Sequence, residues 1–148
     1  MMTATNPAGR GTTLASVAPL VLCVAFFWPS GGGARKVHML SGSVAPGASG
    51  TVQVNTGNNG NTTLDVKAHA LDPPSSLTPA ENVYVLWIQA PGWAPQNEGP
   101  IAVNASENGE LHIETPYKNF RVFITAEDDA GARAPIGPKV LSADVSSS

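Results

Sequence analysis

The sequence predicts an all-β domain, folded as an antiparallel sandwich of two sheets, and three observations carry that expectation. Short apolar or alternating runs recur from Thr51 to the C-terminus, each bounded by turn residues. Gly (15) and Pro (13) are plentiful among the 148 residues, and neither suits a helix interior. No stretch between these runs carries a helical period, so the crossover helices that parallel strands need are missing.

Taken in order, Thr51–Val54 alternates and leads into Thr56–Asn61, a loop with an Asn-Gly step, which is a strong hairpin signal. Thr63–Ala70 alternates again, with Leu64, Val66, Ala68 and Ala70 on one side and Asp65, Lys67 and His69 on the other. Leu71–Asn82 carries Asp72-Pro73-Pro74 and Pro79, so it is neither an interior strand nor a helix. Val83–Gln89 is the longest apolar run after the N-terminus and is rich in β-branched and aromatic residues. It reads as a central strand buried at least partly on both faces. Beyond the Pro/Gly loop Ala90–Gly99 come Ile101–Val103, the Asn108-Gly109 turn and Leu111–Ile113. Phe120–Ala126, the loop Asp128–Pro138 and the last strand, Lys139–Val145, complete the pattern. About seven strands with turns every eight to twelve residues point to the immunoglobulin-like form of the sandwich.

This domain is expected to span residues 51–145, after a flexible spacer at 35–50 (SGSVAPGASG is its core) and before a frayed tail at 146–148. Residues 1–34 read as an export segment. Leu14–Trp28 is uncharged and apolar over 15 residues, within the length of a signal-peptide core and short of the roughly 20 needed to span a bilayer. Pro29-Ser30 ends it, and Gly32-Gly33-Ala34 offers a small-residue cleavage site. Retention of residues 11–28 as a short or tilted membrane anchor is the competing reading; Leu22 before Cys23 argues against lipoprotein processing. Either way the domain is expected outside the cytoplasm, periplasmic or extracellular, touching a membrane only through its N-terminus.

Charge and composition narrow the function. Charged residues are 13% of the chain, against about 25% in ordinary globular proteins, and the net charge is −3 with the eight basic residues scattered. Neutralising phosphates needs clustered Lys and Arg, so no nucleic-acid partner is expected. The one cysteine, Cys23, lies in the apolar N-terminal segment, which leaves the domain without a disulfide or a thiolate metal site. His69 and His112 would share an outward face with Asp65, Lys67, Glu110 and Glu114 if the second and fifth strands pair; a solvated face with cross-strand charge pairs is the simpler account. Glu98, Glu127, Asp128 and Asp129 offer carboxylates, but the last three close a strand into an exposed turn. No nucleophile elbow or phosphate-cradling loop is present. Neither catalysis nor a cofactor is expected. Asn61-Thr62-Thr63 and Asn104-Ala105-Ser106 are formal glycosylation sequons.

Two features point to binding. Trp93 sits between Pro91-Gly92 and Pro95, where an exposed loop aromatic could stack on a carbohydrate or anchor a protein partner, or else fold back over the core edge. The strand 83–89 has two registers open to it. With Trp87 inward beside Val83 and Val85, the residues Tyr84, Leu86 and Ile88 would form an outer apolar stripe with Phe123 of the neighbouring strand, and such a patch usually has a partner. In the opposite register Tyr84, Leu86 and Ile88 form the core and Trp87 is outward.

The run Tyr84–Gln89 with its Pro-Gly loop, the strand Phe120–Glu127, and Pro135-Ile136-Gly137-Pro138 together resemble the extracytoplasmic C-terminal domain of the anti-sigma-K factor family over residues 50–145. That family is marked by a W-x-Q strand, a later strand ending in T-x-E, and a P-x-G-P turn before the last strand. The resemblance implies a non-catalytic bacterial β module outside the membrane. Only about a dozen residues precede the apolar segment, so no sigma-binding part is expected. The expected function is a structural or protein-interaction role at the cell envelope, with Tyr84, Leu86, Ile88, Trp93 and Phe123 as the candidate surface. A small carbohydrate- or ligand-binding protein using the Trp93 loop is the alternative.

Overall fold

A computed structural model of the protein describes residues 34–146. Residues 1–33, on which the expected export segment falls, and residues 147–148 lie outside the described residues. Among the described residues there are eight strands: β1 (Arg35–Ser41), β2 (Ser49–Thr56), β3 (Thr62–His69), β4 (Val83–Gln89), β5 (Gln96–Ile101), β6 (Gly109–Thr115), β7 (Phe120–Glu127) and β8 (Lys139–Val145). Every pairing is antiparallel, as expected, and the strands run in the order β5-β4-β7-β8-β1-β2-β3-β6. The two end strands of that order approach each other where Val103 bridges to Gly109. The fold is therefore all-β and nearly closed on itself.

The alternating strands do what their pattern dictates. Along β3, Leu64, Val66 and Ala68 are fully buried while Lys67 and His69 are exposed. β4 departs from alternation because it is apolar throughout, and Tyr84 to Ile88 are all fully buried. Tyr84, Leu86 and Ile88 enter the main core with Leu64, Val122 and Ile124. The opposite face of β4 carries Val85 and Trp87, which form a second apolar cluster with Phe123. The linker between β3 and β4 contributes Leu71 and Leu77 to the main core, and the Asp72 carbonyl accepts the Tyr84 hydroxyl at 2.6 Å.

Two expectations need correction. Residues 35–50 are not a flexible spacer: β1 pairs with β2 through Arg35–Met39 and with β8 through Leu40 and Ser41, so it joins the two halves of the ladder. The strand signal (Val37 and Met39 inward, Lys36 and His38 outward) is short and runs into a Gly/Ser-rich turn that masks it. That turn is itself tied down, since Gly42 N–H donates to the Val140 carbonyl at 2.8 Å and Ala45 and Ala48 are buried. The domain thus begins near Arg35, not Thr51. The fifth strand is also longer and earlier than expected, running from Gln96 to Ile101 instead of Ile101 to Val103. It is an end strand with a register shift opposite Leu86/Trp87 and a Gly99 at φ +121°, so backbone pairing rather than side-chain pattern defines it.

Candidate binding site

The outer apolar stripe does not exist as a surface. Tyr84, Leu86 and Ile88 are fully buried in the main core, and Phe123 is buried under a different roof. The loop between β7 and β8 folds back over Val85, Trp87 and Phe123, contributing Ala132 to their cluster. It is held there by Asn97, whose side-chain N–H groups donate to the Ala130 and Ala132 carbonyls, both at 2.9 Å. Trp87 and Phe123 stack with centroids 6.5 Å apart, and Lys139 Nζ lies 4.8 Å from the Phe123 ring centre. Sequence reading posed a choice between two faces of β4 because it could not see that an eleven-residue loop (128–138) covers the second one.

The three motifs behind the family resemblance meet at this buried face. Trp87 Nε1–H donates to Thr125 Oγ1 at 2.8 Å, and the Thr125 hydroxyl donates to Glu127 Oε1 at 2.6 Å. The Glu127 carboxylate, itself buried, accepts the backbone N–H of Ile136 at 3.1 Å and of Gly137 at 3.0 Å. W-x-Q, T-x-E and P-x-G-P are thus links of one chain of hydrogen bonds that fastens the loop. Gly137 is needed because a Cβ there would fall 1.6 Å from the Ala126 carbonyl oxygen. Fully satisfied, such a network fixes geometry; with one acceptor removed it leaves buried N–H groups orphaned.

Of the five candidate residues only Trp93 reaches the surface, where it is 65% exposed. Its presentation is fixed by the backbone before it. Ala90-Pro91-Gly92-Trp93 forms a β-turn closed by Trp93 N–H to the Ala90 carbonyl at 3.1 Å, with Gly92 at φ +82°. Pro at the second position and Gly with positive φ at the third are the demands of a type II turn. Gln89 adds a second tie, its Nε2 donating to the Trp93 carbonyl at 3.1 Å.

Pro91 and Gly92 also line a groove of about 350 Å³, together with Gln89, Phe120, Arg121 and Asp144. The register explains this grouping: Gln89 stands opposite Arg121, and Arg121 opposite Asp144, in a cross-strand row over β4, β7 and β8. Arg121 Nε donates to Asp144 Oδ1 at 2.7 Å. That bond holds the Asp144 carboxyl below its ordinary range and the Arg121 guanidinium above its own, so both are charged across the neutral range. Arg121 and Asp144 were missed in the sequence. Their signal was there, since each occupies an outward position of a correctly read strand, but only the β7–β8 register places them side by side.

The polar face expected on the other half of the ladder is present. β3 pairs with β6, which puts Asp65 opposite His112 and Lys67 opposite Glu110. His112 Nδ1 lies 2.6 Å from Asp65 Oδ1, and His69 Nδ1 lies 2.9 Å from Asn108 Oδ1. Among the described residues no three His, Cys, Asp or Glu side chains converge as a metal would require. Of the sequons, Asn61 commits its amide to Glu114 at 2.6 Å, while Asn104 Oδ1 accepts the Ser106 and Asn108 N–H groups. Among the described residues no helix is long and apolar enough to cross a membrane. Compared with protein-family models and with curated proteins, the chain matches none.

Proposed function

We propose that this protein is a non-catalytic, exported β module of the bacterial cell envelope, acting by contact with a partner, and that the Trp93 turn is its contact surface. The observation that carries the reading is a tryptophan held 65% exposed on a turn fixed by two hydrogen bonds, the turn's Pro91 and Gly92 lining a groove. Leaving a large aromatic in water forgoes the free energy of burying it, and aromatic anchors of this kind dominate interfaces. The convergence of Trp87, Thr125, Glu127 and Gly137 supports kinship with the anti-sigma-K factor extracytoplasmic domain, because the shared motif residues have a joint structural task. The pairings β3–β6, β4–β7 and β7–β8 support the finer, immunoglobulin-like two-sheet reading: they match the B–E, C–F and F–G neighbours of that fold, with Trp87 on strand C. Export rests on the apolar Leu14–Trp28 segment and the small residues after it. Mass spectrometry of the N-terminus tests that part: a start near Arg35 means a released protein, an intact Met1 an anchored one, and recovery only from the cytosol refutes export. Co-sedimentation with isolated envelopes tests the contact role, with Trp93→Ala expected to lower the bound fraction.

A further inference from the structure

The row Gln89–Arg121–Asp144 has a chemistry that selects among ligands. It crosses three strands on the outward side, and two strand spacings of about 4.8 Å make it roughly 10 Å long. Its groups alternate in what they offer. Arg121 is a donor only, Asp144 accepts, and Gln89 can do both; Gln89 Oε1 receives no hydrogen bond from any described residue. Arg121 and Asp144 neutralise each other, so the groove carries no net charge on a chain whose net charge is −3. A polyanion would meet an acceptor and an overall like charge. A cation would meet a guanidinium. A hydroxyl-rich, uncharged ligand fits both kinds of group, because each hydroxyl donates and accepts. Pro91 and Gly92 line the groove and Trp93 follows them in the same turn, its exposed indole able to take the C–H face of a sugar ring. The groove, about 350 Å³, lies at the low end of the roughly 300–1,000 Å³ usual for small-molecule sites.

We infer that the groove formed by Gln89, Arg121 and Asp144 beside Trp93 is a binding site for an uncharged oligosaccharide. This rests on the Trp93 turn being the contact surface and names what it contacts. A polypeptide partner at the same turn is the competing outcome.

The test is an NMR titration of the protein with tetra-N-acetylchitotetraose, cellotetraose and maltotetraose, and with tetragalacturonate as the acidic comparator. At least one uncharged tetrasaccharide should shift the Trp93 indole N–H and the Gln89 and Arg121 side-chain signals saturably, and bind more tightly than tetragalacturonate. Trp93→Ala should weaken that affinity by about tenfold or more, the ordinary consequence of truncating an aromatic anchor. Asp144→Asn, which keeps the shape and removes one charge, should weaken it by several-fold; this second variant guards against misfolding of the first. Absence of shifts with all three uncharged sugars, retention of binding in Trp93→Ala, or tighter binding of the acidic sugar would each overturn the inference. Envelope co-sedimentation separates the two claims. If pelleting depends on Trp93 but no uncharged sugar shifts the groove signals, the contact reading stands and the saccharide inference falls. If pelleting ignores Trp93, the contact reading itself is lost.

Discussion

Glu127 accepts three hydrogen bonds in a buried setting, so replacing it is informative. Glu127→Gln keeps the volume but exchanges one acceptor oxygen for an NH₂ that faces a backbone N–H or the Thr125 hydroxyl. The loss of one such acceptor should destabilise the fold by about 1–3 kcal/mol, read as a lower urea midpoint at unchanged slope. Tyr84 gives a test in the alkaline range. Burial first, and the Asp72 carboxylate second, push its phenol from 10.0 up to about 12. A raised folded pKa means the stabilisation is complete below pH 10 and is lost as pH rises through about 12. Tyr84→Phe should flatten that decline and, by removing the bond to the Asp72 carbonyl, lower stability at neutral pH by about 0.5–1.5 kcal/mol. Urea melts of both proteins across that range check it. Neither role was legible at the level of single residues: Tyr84 stood open to either an outer stripe or the core, and Glu127 read as part of an acidic turn. The Tyr84 acceptor lies 12 residues away and the backbone donors to Glu127 lie 9 and 10 residues away, beyond what local pattern can resolve.

Most strands were legible because the force that forms them, burial of alternate side chains, writes itself into sequence. β3, β4, β7 and β8 fall where their apolar residues recur. β1 and β5 were misread for opposite reasons. In β1 the pattern is adequate but its neighbours are small and polar. β5 has Gly99 and Pro100 in it and is held by backbone pairing to β4 alone. The position of β1 between β2 and β8 makes a strong claim about where the domain starts. A protein beginning at Arg35 should melt as a cooperative unit. One beginning at Thr51 lacks a central strand, uncovers the edges of both β2 and β8, and should be unfolded or aggregated. Circular dichroism with sedimentation on the two proteins distinguishes them, and a folded monomer starting at Thr51 would refute the role assigned to β1.

At the scale of the whole domain, most of the large apolar side chains among the described residues are buried by folding, with Leu40, Trp93 and Ile136 the exposed ones. Four of the five candidate contact residues are interior, and the β7–β8 loop roofs the face on which Phe123 lies. Trp93 was legible as a loop residue because Pro-Gly before it and Pro95 after it bar a strand there, while its exposure was left open between a binding aromatic and one folded back over the core edge. The groove beside it was not, since it depends on the registers of β4, β7 and β8 together. The proposed function therefore rests on one side chain, Trp93, that the fold leaves exposed. Co-sedimentation of the protein with isolated bacterial envelopes, wild type against Trp93→Ala at matched melting temperature, tests it most directly. A bound fraction that falls several-fold in the variant is the predicted result; an unchanged bound fraction would contradict it.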